Sequence, residues 1–186
     1  MLKDIARYSN SKVDVDSLNE KNYVGVDNLL KNKCGKVDSN KVPKGGNVNL
    51  FKEGDILIGN IRPYLRKIWI ADVKGGASPD VLVITKREST SNELLQRYLY
   101  QVLSSEKFFN YDIKYSKGAK MPRGNKSKIM EYEIPVPSLK VQEYVVSILD
   151  NFDNLINDIS QGLPREIELR QKQYEYYREK LLNFPK

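Results

Sequence analysis

Hydrophobic and polar residues follow two different rhythms along this chain, and the change falls near residue 140. Upstream, the apolar runs are short and separated by turn-formers. GDILIGNI (54–61) reads as a strand entered through a Gly-Asp turn, RKIWIADV (66–73) as a second strand with partial alternation, and VLVIT (81–85) as a third, central one. Between the first two, Arg62-Pro63-Tyr64 must turn or bulge, because proline has no amide hydrogen for a sheet ladder. KGGASPD (74–80) reads as a loop. SNELLQRYLYQVLSSEKFF (91–109) sets Leu94, Leu95, Tyr98, Leu99, Val102 and Leu103 at helical spacing, with Ser91 as the expected N-cap. KYSKGAKMPRGNKSK (114–128) is polar and broken by glycine and proline, hence largely loop, and YEIPVPSLK (132–140) reads as a short strand closed by two prolines. Short strands around one substantial helix predict a compact α+β domain over residues 1–140.

Downstream the period becomes helical. In VQEYVVSILDNFDNLINDISQ (141–161), Val145, Ile148 or Leu149, Phe152, Leu155 or Ile156, and Ile159 form one apolar stripe. Gly162 interrupts it, and Leu163-Pro164 restarts a helix with proline in the first turn, where its missing donor costs little. Leu163, Ile167, Arg170, Tyr174, Tyr177, Leu181 and Phe184 then alternate at spacings of four and three, a heptad-like seam with one polar position. At a rise of about 1.5 Å per residue, each helix is about 30 Å long. Such a seam needs a partner: the first helix folded back, a second copy of the chain, or another protein. Its tyrosines suit an interface, since the ring buries area while the hydroxyl stays wet or bonded. Residues 141–186 are therefore expected to form long coiled-coil-forming helices, with a break near 162–164 that permits either a hairpin or a kinked rod.

Charge divides the chain at the same place. Residues 1–140 hold 25 Lys and Arg against 16 Asp and Glu, a net of +9, whereas the remaining residues hold 6 against 8. The first part is thus the candidate for a polyanionic partner. No histidine is present, which excludes Ser-His-Asp and Cys-His nucleophiles and His-ligated zinc. The single cysteine, Cys34, permits no internal disulfide or multi-thiol metal site. No apolar stretch is long enough to span a membrane, and MLKDIARY lacks an apolar signal core, so a cytoplasmic location is expected. The glycine-lysine stretches do not have P-loop spacing, and no dinucleotide fingerprint occurs. Asp27, Asp55, Asp72 and Asp80 are scattered; a magnesium-dependent nuclease built from Asp55 or Asp80 with Lys67 is the enzymatic alternative, and a nonspecific nucleic-acid-binding scaffold is another.

The basic segment carries Lys114, Lys117, Lys120, Arg123, Lys126 and Lys128 with no acid among them. A second cluster, Arg62, Arg66 and Lys67, frames Tyr64 at the end of a strand. Lysines on phosphate give affinity with little sequence information, whereas forked or bidentate Arg and Asn contacts to base edges discriminate. Lys117, Lys120, Lys126 and Lys128 are accordingly assigned to backbone contact, and Arg62, Arg123 and Asn125 to base reading.

The runs GDILIGNIRPYLRKIWIA, GGASPDVLVI and MPRGNKSKIMEYEIPVPSLKVQEYVVSILDNFDNLINDISQGLPREIELRQKQYEYYREKLLNF, in that order, resemble one half of the specificity subunit of type I restriction–modification enzymes. The resemblance covers nearly the whole chain, with little signal in 1–50 and 86–115. It implies a protein without a catalytic centre: a target recognition domain reading one half of a split double-stranded DNA site, followed by a conserved helical spacer. Methylation subunits, which bind S-adenosylmethionine themselves, would dock on the subunit, and a motor/nuclease subunit can join them. No cofactor is expected on this chain. Leu155, Ile159, Ile167, Tyr174, Tyr177 and Leu181 would lie in the helix–helix seam. Only one such unit is present where the full subunit has two, so a natural half-size protein and the leading half of a larger one both fit. A half unit with an exposed seam is expected to pair with a second copy.

Overall fold

A computed structural model of the chain describes residues 1–90, 92–152, 169, 172 and 173. The order of elements is α1 (Leu2–Ile5), β1 (Ala6–Tyr8), β2 (Lys12–Asp14), β3 (Tyr23–Val24), β4 (Asn47–Phe51), β5 (Ile56–Gly59), β6 (Ile68–Ile70), β7 (Gly75–Ala77), β8 (Val81–Lys86), α2 (Gln96–Leu103), α3 (Glu106–Tyr115) and α4 (Lys126–Met130). A further helix covers 139–152. Contacts divide the chain into two units, Met1–Glu143 and Tyr144–Lys186.

Among the described residues, the first unit contains two four-stranded sheets. One has the order β1-β8-β5-β6 and is antiparallel throughout; the other has the order β2-β4-β7-β3, with β3 and β7 parallel. Strand β5 is buried at every position, which requires cover on both faces. Leu57, opposite Val83 and Trp69, points into a cluster with Val24, Leu29, Phe51, Ala77 and Val81, residues drawn from both sheets, so a core lies between them. Phe51 and Trp69 meet edge to face there, ring centroids 5.9 Å apart. Ile56 and Ile58 point the other way and are equally buried.

The apolar runs at 54–61, 66–73 and 81–85 each contain the strand expected of them, and β8 is central. The loop reading of 74–80 is corrected in part: Gly75–Ala77 is a strand hydrogen-bonded on both sides. Its glycines are needed for close approach rather than for a turn. A Cβ on Gly75 would run into the Asn22 carbonyl and lie 2.6 Å from Phe51 Cζ, and one on Gly76 would strike Leu18 and lie 2.6 Å from Val48 Cγ2. Gly76→Ala is therefore expected to destabilise the fold by about 2 kcal/mol, the usual scale of overpacking, as read from the urea midpoint. An unchanged midpoint would mean that Leu18 and Val48 yield without cost.

The helix expected over 91–109 is two helices. Ser105 stops the first and caps the second, its Oγ accepting from Phe108 N at 3.2 Å. Helix α2 begins at Gln96 with Leu95 in the cap position, and Ser91 lies outside the described residues. The strand expected at 132–140 does not form: 132–138 is irregular, Pro135 and Pro137 having no amide hydrogen to offer, and helix begins at 139. The segment 114–128 is loop only in its middle, since α3 runs to Tyr115 and α4 starts at Lys126.

Within the second unit, 144–152 is helical; Val145 is half-buried, and Tyr144 and Phe152 are exposed. Leu155, Ile159, Leu163, Ile167, Tyr174, Tyr177, Leu181 and Phe184, and the break near 162–164, lie outside the described residues. Among the described residues, no helix is long and apolar enough to cross a membrane.

Candidate nucleic-acid interface

Strands β5 and β6 are joined by a tight turn that carries the first basic cluster. Pro63–Leu65 forms one turn of 3-10 helix, and both flanking residues, Arg62 (φ 59°) and Arg66 (φ 51°), hold left-handed backbone. Such positions cost an ordinary residue of order 1 kcal/mol or more, a cost glycine would not incur. The Arg62 amide donates to the Pro122 carbonyl at 2.8 Å, which ties this turn to the second basic segment, and its side chain is exposed beside the exposed Tyr64. Arg66 turns the other way: a terminal nitrogen sits 2.7 Å from Glu106 Oε2 at the start of α3. Lys67 faces inward, 8% exposed, donating to the Val26 carbonyl at 2.6 Å, and burial lowers its pKa from the usual lysine value. Of this cluster, Arg62 and Tyr64 face solvent, whereas Arg66 and Lys67 are engaged within the protein.

The second basic segment is a small hairpin. Lys117 and Arg123 exchange backbone hydrogen bonds of 2.9 and 2.8 Å, Arg123 bridges to Ile61, and the Gly124 amide donates to the Asn60 carbonyl at 3.0 Å. The hairpin thus extends the end of β5. Lys117, Lys120, Arg123 and Lys126 are exposed. Asn125 serves as the N-cap of α4, its Oδ1 accepting from Lys128 N at 3.3 Å. Lys128 is held by Glu131 at 2.6 Å and lies over the Tyr115 ring, 5.7 Å from its centroid; the bond to Glu131 raises its pKa. Behind them, Phe109, Phe108, Tyr132, Tyr111 and Tyr115 form a continuous row of ring contacts from the core to this surface.

The two segments meet at a cleft of about 850 Å³ lined by, among others, Asp27, Lys31, Lys41, Arg62, Asp80 and Met121. Asp80, which lines it, has its Oδ1 3.4 Å from Arg123 Nε. Asp80, one of the scattered acids in the sequence, is therefore part of this surface, a role that no local spacing signals. Asp55 is buried at the start of β5, the opposite end from Asn60, accepting from Lys52 N at 2.8 Å, with burial raising its pKa. Among the described residues, no three of His, Cys, Asp and Glu gather as a metal site, so the carboxylates weighed for a nuclease do not converge.

Beneath the hairpin lies a cluster the sequence does not reveal. Asp112 on α3 is 1% exposed, and neither carboxylate oxygen has a hydrogen-bond partner; Asn60 Oδ1 is buried and unpartnered as well. A Cβ built on Gly124 would sit 2.6 Å from Asp112 Oδ1 and 2.9 Å from Asn60 Oδ1, so the hairpin backbone rests directly on both oxygens. Burial pushes the Asp112 carboxyl up to about 6.

The profile of the type I restriction modification DNA specificity domain family matches residues 1–169. The specificity subunit of the Escherichia coli type I restriction enzyme EcoR124I/EcoR124II is 44% identical over 93 residues, half of this chain and 23% of that protein. A putative type I restriction enzyme specificity subunit of Haemophilus influenzae is 36% identical over 133 residues, 72% of this chain and 33% of that protein. The crystal structure of the HsdS subunit from Thermoanaerobacter tengcongensis shares the fold with a TM-score of 0.65 at 18% identity, covering 95% of this chain and 46% of that one. The type I S subunit from M. genitalium superposes with a TM-score of 0.57 at 15% identity, covering 92% and 42%. In each comparison the match spans less than half of the relative's own length.

Proposed function

This chain belongs to the type I restriction modification DNA specificity domain family, and on that premise we propose that it reads one half of a split double-stranded DNA target without performing bond chemistry itself. The supporting observation is the pairing of two basic segments far apart in sequence: the Arg62 turn and the Lys117–Arg123 hairpin meet at one cleft in the part of the chain with the net positive charge. On this reading the exposed Lys117, Lys120 and Lys126 hold phosphates, with Lys128 joining them when Glu131 releases it. Arg62 and Arg123, on backbones fixed to each other through residue 122–124 contacts, read base edges. Asn125, occupied as a cap, and Lys67, turned inward, support the surface more than they touch the duplex. Residues 141–186 form the spacer that docks methylation subunits and pairs with a second copy, and those subunits, not this chain, bind S-adenosylmethionine. A motor/nuclease subunit completes the assembly. Two such units in a two-fold dimer would read an inverted, interrupted site, because protein symmetry is mirrored in site symmetry.

Selection from a random duplex pool tests this directly. Arg123→Ala is expected to flatten the preference among duplexes more than it lowers general binding. Lys120→Ala is expected to weaken all duplexes alike and to reduce the slope of log affinity against log salt by about 1. Identical behaviour of the two variants would refute the division between reading and anchoring. For the spacer, replacing Tyr174 and Tyr177 together by Asp is expected to turn a dimer into a monomer in sedimentation velocity; an unchanged dimer places the interface elsewhere.

A further inference from the structure

Asp80 is out of place on a surface built for phosphate. A carboxylate facing a polyanion weakens binding to every sequence, unless a donor on a base edge answers it. In the major groove only the cytosine N4 and adenine N6 amino groups donate. Asp80 does not stand alone: its Oδ1 lies 3.4 Å from Arg123 Nε, and both side chains are substantially exposed, 43% and 59%. The contact is made through Nε, whereas the end-on fork of an arginine onto the O6 and N7 of guanine uses the two terminal nitrogens.

The backbones beneath the pair are joined in one hydrogen-bonded row. The Asn60 amide donates to the Asp80 carbonyl at 2.9 Å, and the Gly124 amide donates to the Asn60 carbonyl at 3.0 Å. Asp80 and Arg123 are therefore carried on either side of the Asn60–Ile61 segment, and their side chains meet across it. A single C·G pair offers the complementary set side by side, an amino donor on cytosine next to two acceptors on guanine.

We propose that Asp80 and Arg123 act as one reading unit for a single C·G base pair, Asp80 accepting from the cytosine amino group while Arg123 forks onto the guanine edge. This rests on the DNA-recognition reading above and specifies what one part of that surface recognises. The Asp80 charge serves as a filter, since any base pair that presents no donor to it leaves a carboxylate desolvated and unpaired.

The test is selection from a random duplex pool with the full chain as wild type, Asp80→Ala, Asp80→Asn and Arg123→Ala. The wild type is expected to enrich a site containing a fixed C·G pair. Asp80→Ala and Arg123→Ala should each lose preference at that same pair by about tenfold, while the other positions keep theirs. Asp80→Asn, close in size and able to pair with adenine N6 and N7, should shift that position from C·G toward A·T. Losses at two different positions overturn the proposal, as does an Asp80→Ala variant that binds every duplex more tightly with an unchanged site. In either case the DNA-recognition reading still stands. A wild-type chain with no preference among duplexes overturns both.

Discussion

Replacing Gln142 with leucine is expected to lower the unfolding free energy by about 3–5 kcal/mol. Gln142 is completely buried, and each of its polar atoms is engaged. Its Oε1 accepts from Leu95 N at 2.8 Å, and its Nε2 donates to the Glu93 and Pro137 carbonyls, both at 2.7 Å. Leucine nearly conserves the volume but strands one backbone donor and two carbonyls behind an apolar side chain. An orphaned buried polar group costs about 1–3 kcal/mol; Glu93 is an exposed residue whose carbonyl can recover some hydration, which keeps the total in the lower half of the summed range. Against a total domain stability of about 5–15 kcal/mol, that is one of the largest single-residue effects available in this fold. Urea unfolding of both proteins at one pH checks it, and a difference below about 1 kcal/mol would mean that water takes over the three bonds. Amide exchange gives a second readout: the Leu95 amide, at the cap position of α2, should lose its protection first.

Asp112→Asn is expected to remove a pH dependence of stability that the wild type shows between about pH 4 and 6. Burial raises the folded-state value of Asp112 from the ordinary 3.8 to about 6. Folding therefore takes up a proton in that interval. The stabilisation is fully present below the unfolded value and is lost as pH rises through the folded one, remaining lost at neutral pH. A difference of about two pH units corresponds to about 3 kcal/mol. The charged form has nothing to offset it: both carboxylate oxygens and Asn60 Oδ1 lack donors, and the nearby Tyr8 hydroxyl, itself pushed up chiefly by burial and further by Asp112, does not ionise in this range. Asparagine supplies an uncharged amide that can donate to Asn60 Oδ1. The variant should match the wild type near pH 4 and exceed it by up to about 3 kcal/mol at pH 7. Parallel stability profiles for the two proteins would show that water reaches the carboxylate and keeps it charged at little cost.

The consequence reaches the proposed recognition surface. Gly124, which rests on the Asp112 and Asn60 oxygens, follows Arg123 directly, and Asn60 holds the Asp80 backbone. Relieving the buried charge should therefore stiffen the platform that carries Asp80 and Arg123.

Local pattern was enough for the parts whose cause is local. The apolar runs that became β5, β6 and β8 announce themselves because a strand's alternation and turn-formers are read within eight residues. The charge asymmetry and the two basic clusters are properties of the chain itself, and so is the order of motifs that marks the family. Where packing overrode local preference, the sequence misled: Gly75 and Gly76 look like a loop but fill a strand with no room for side chains, and the helical period over 91–109 does not show that Ser105 restarts the helix. That Asn125, read from the sequence as a base-contacting amide, also caps α4 is likewise visible only in the structure. The partnerships on which the predictions rest belong to the tertiary structure alone. Asp80 and Arg123 are brought together by the hairpin's pairing with the end of β5, Gln142 is satisfied by carbonyls five and forty-nine residues away, and Asp112 is buried by a turn that follows it. Periodicity records which face of an element is apolar, whereas the identity of a polar group's partner depends on how distant elements cross, and no repeat within the chain encodes that crossing.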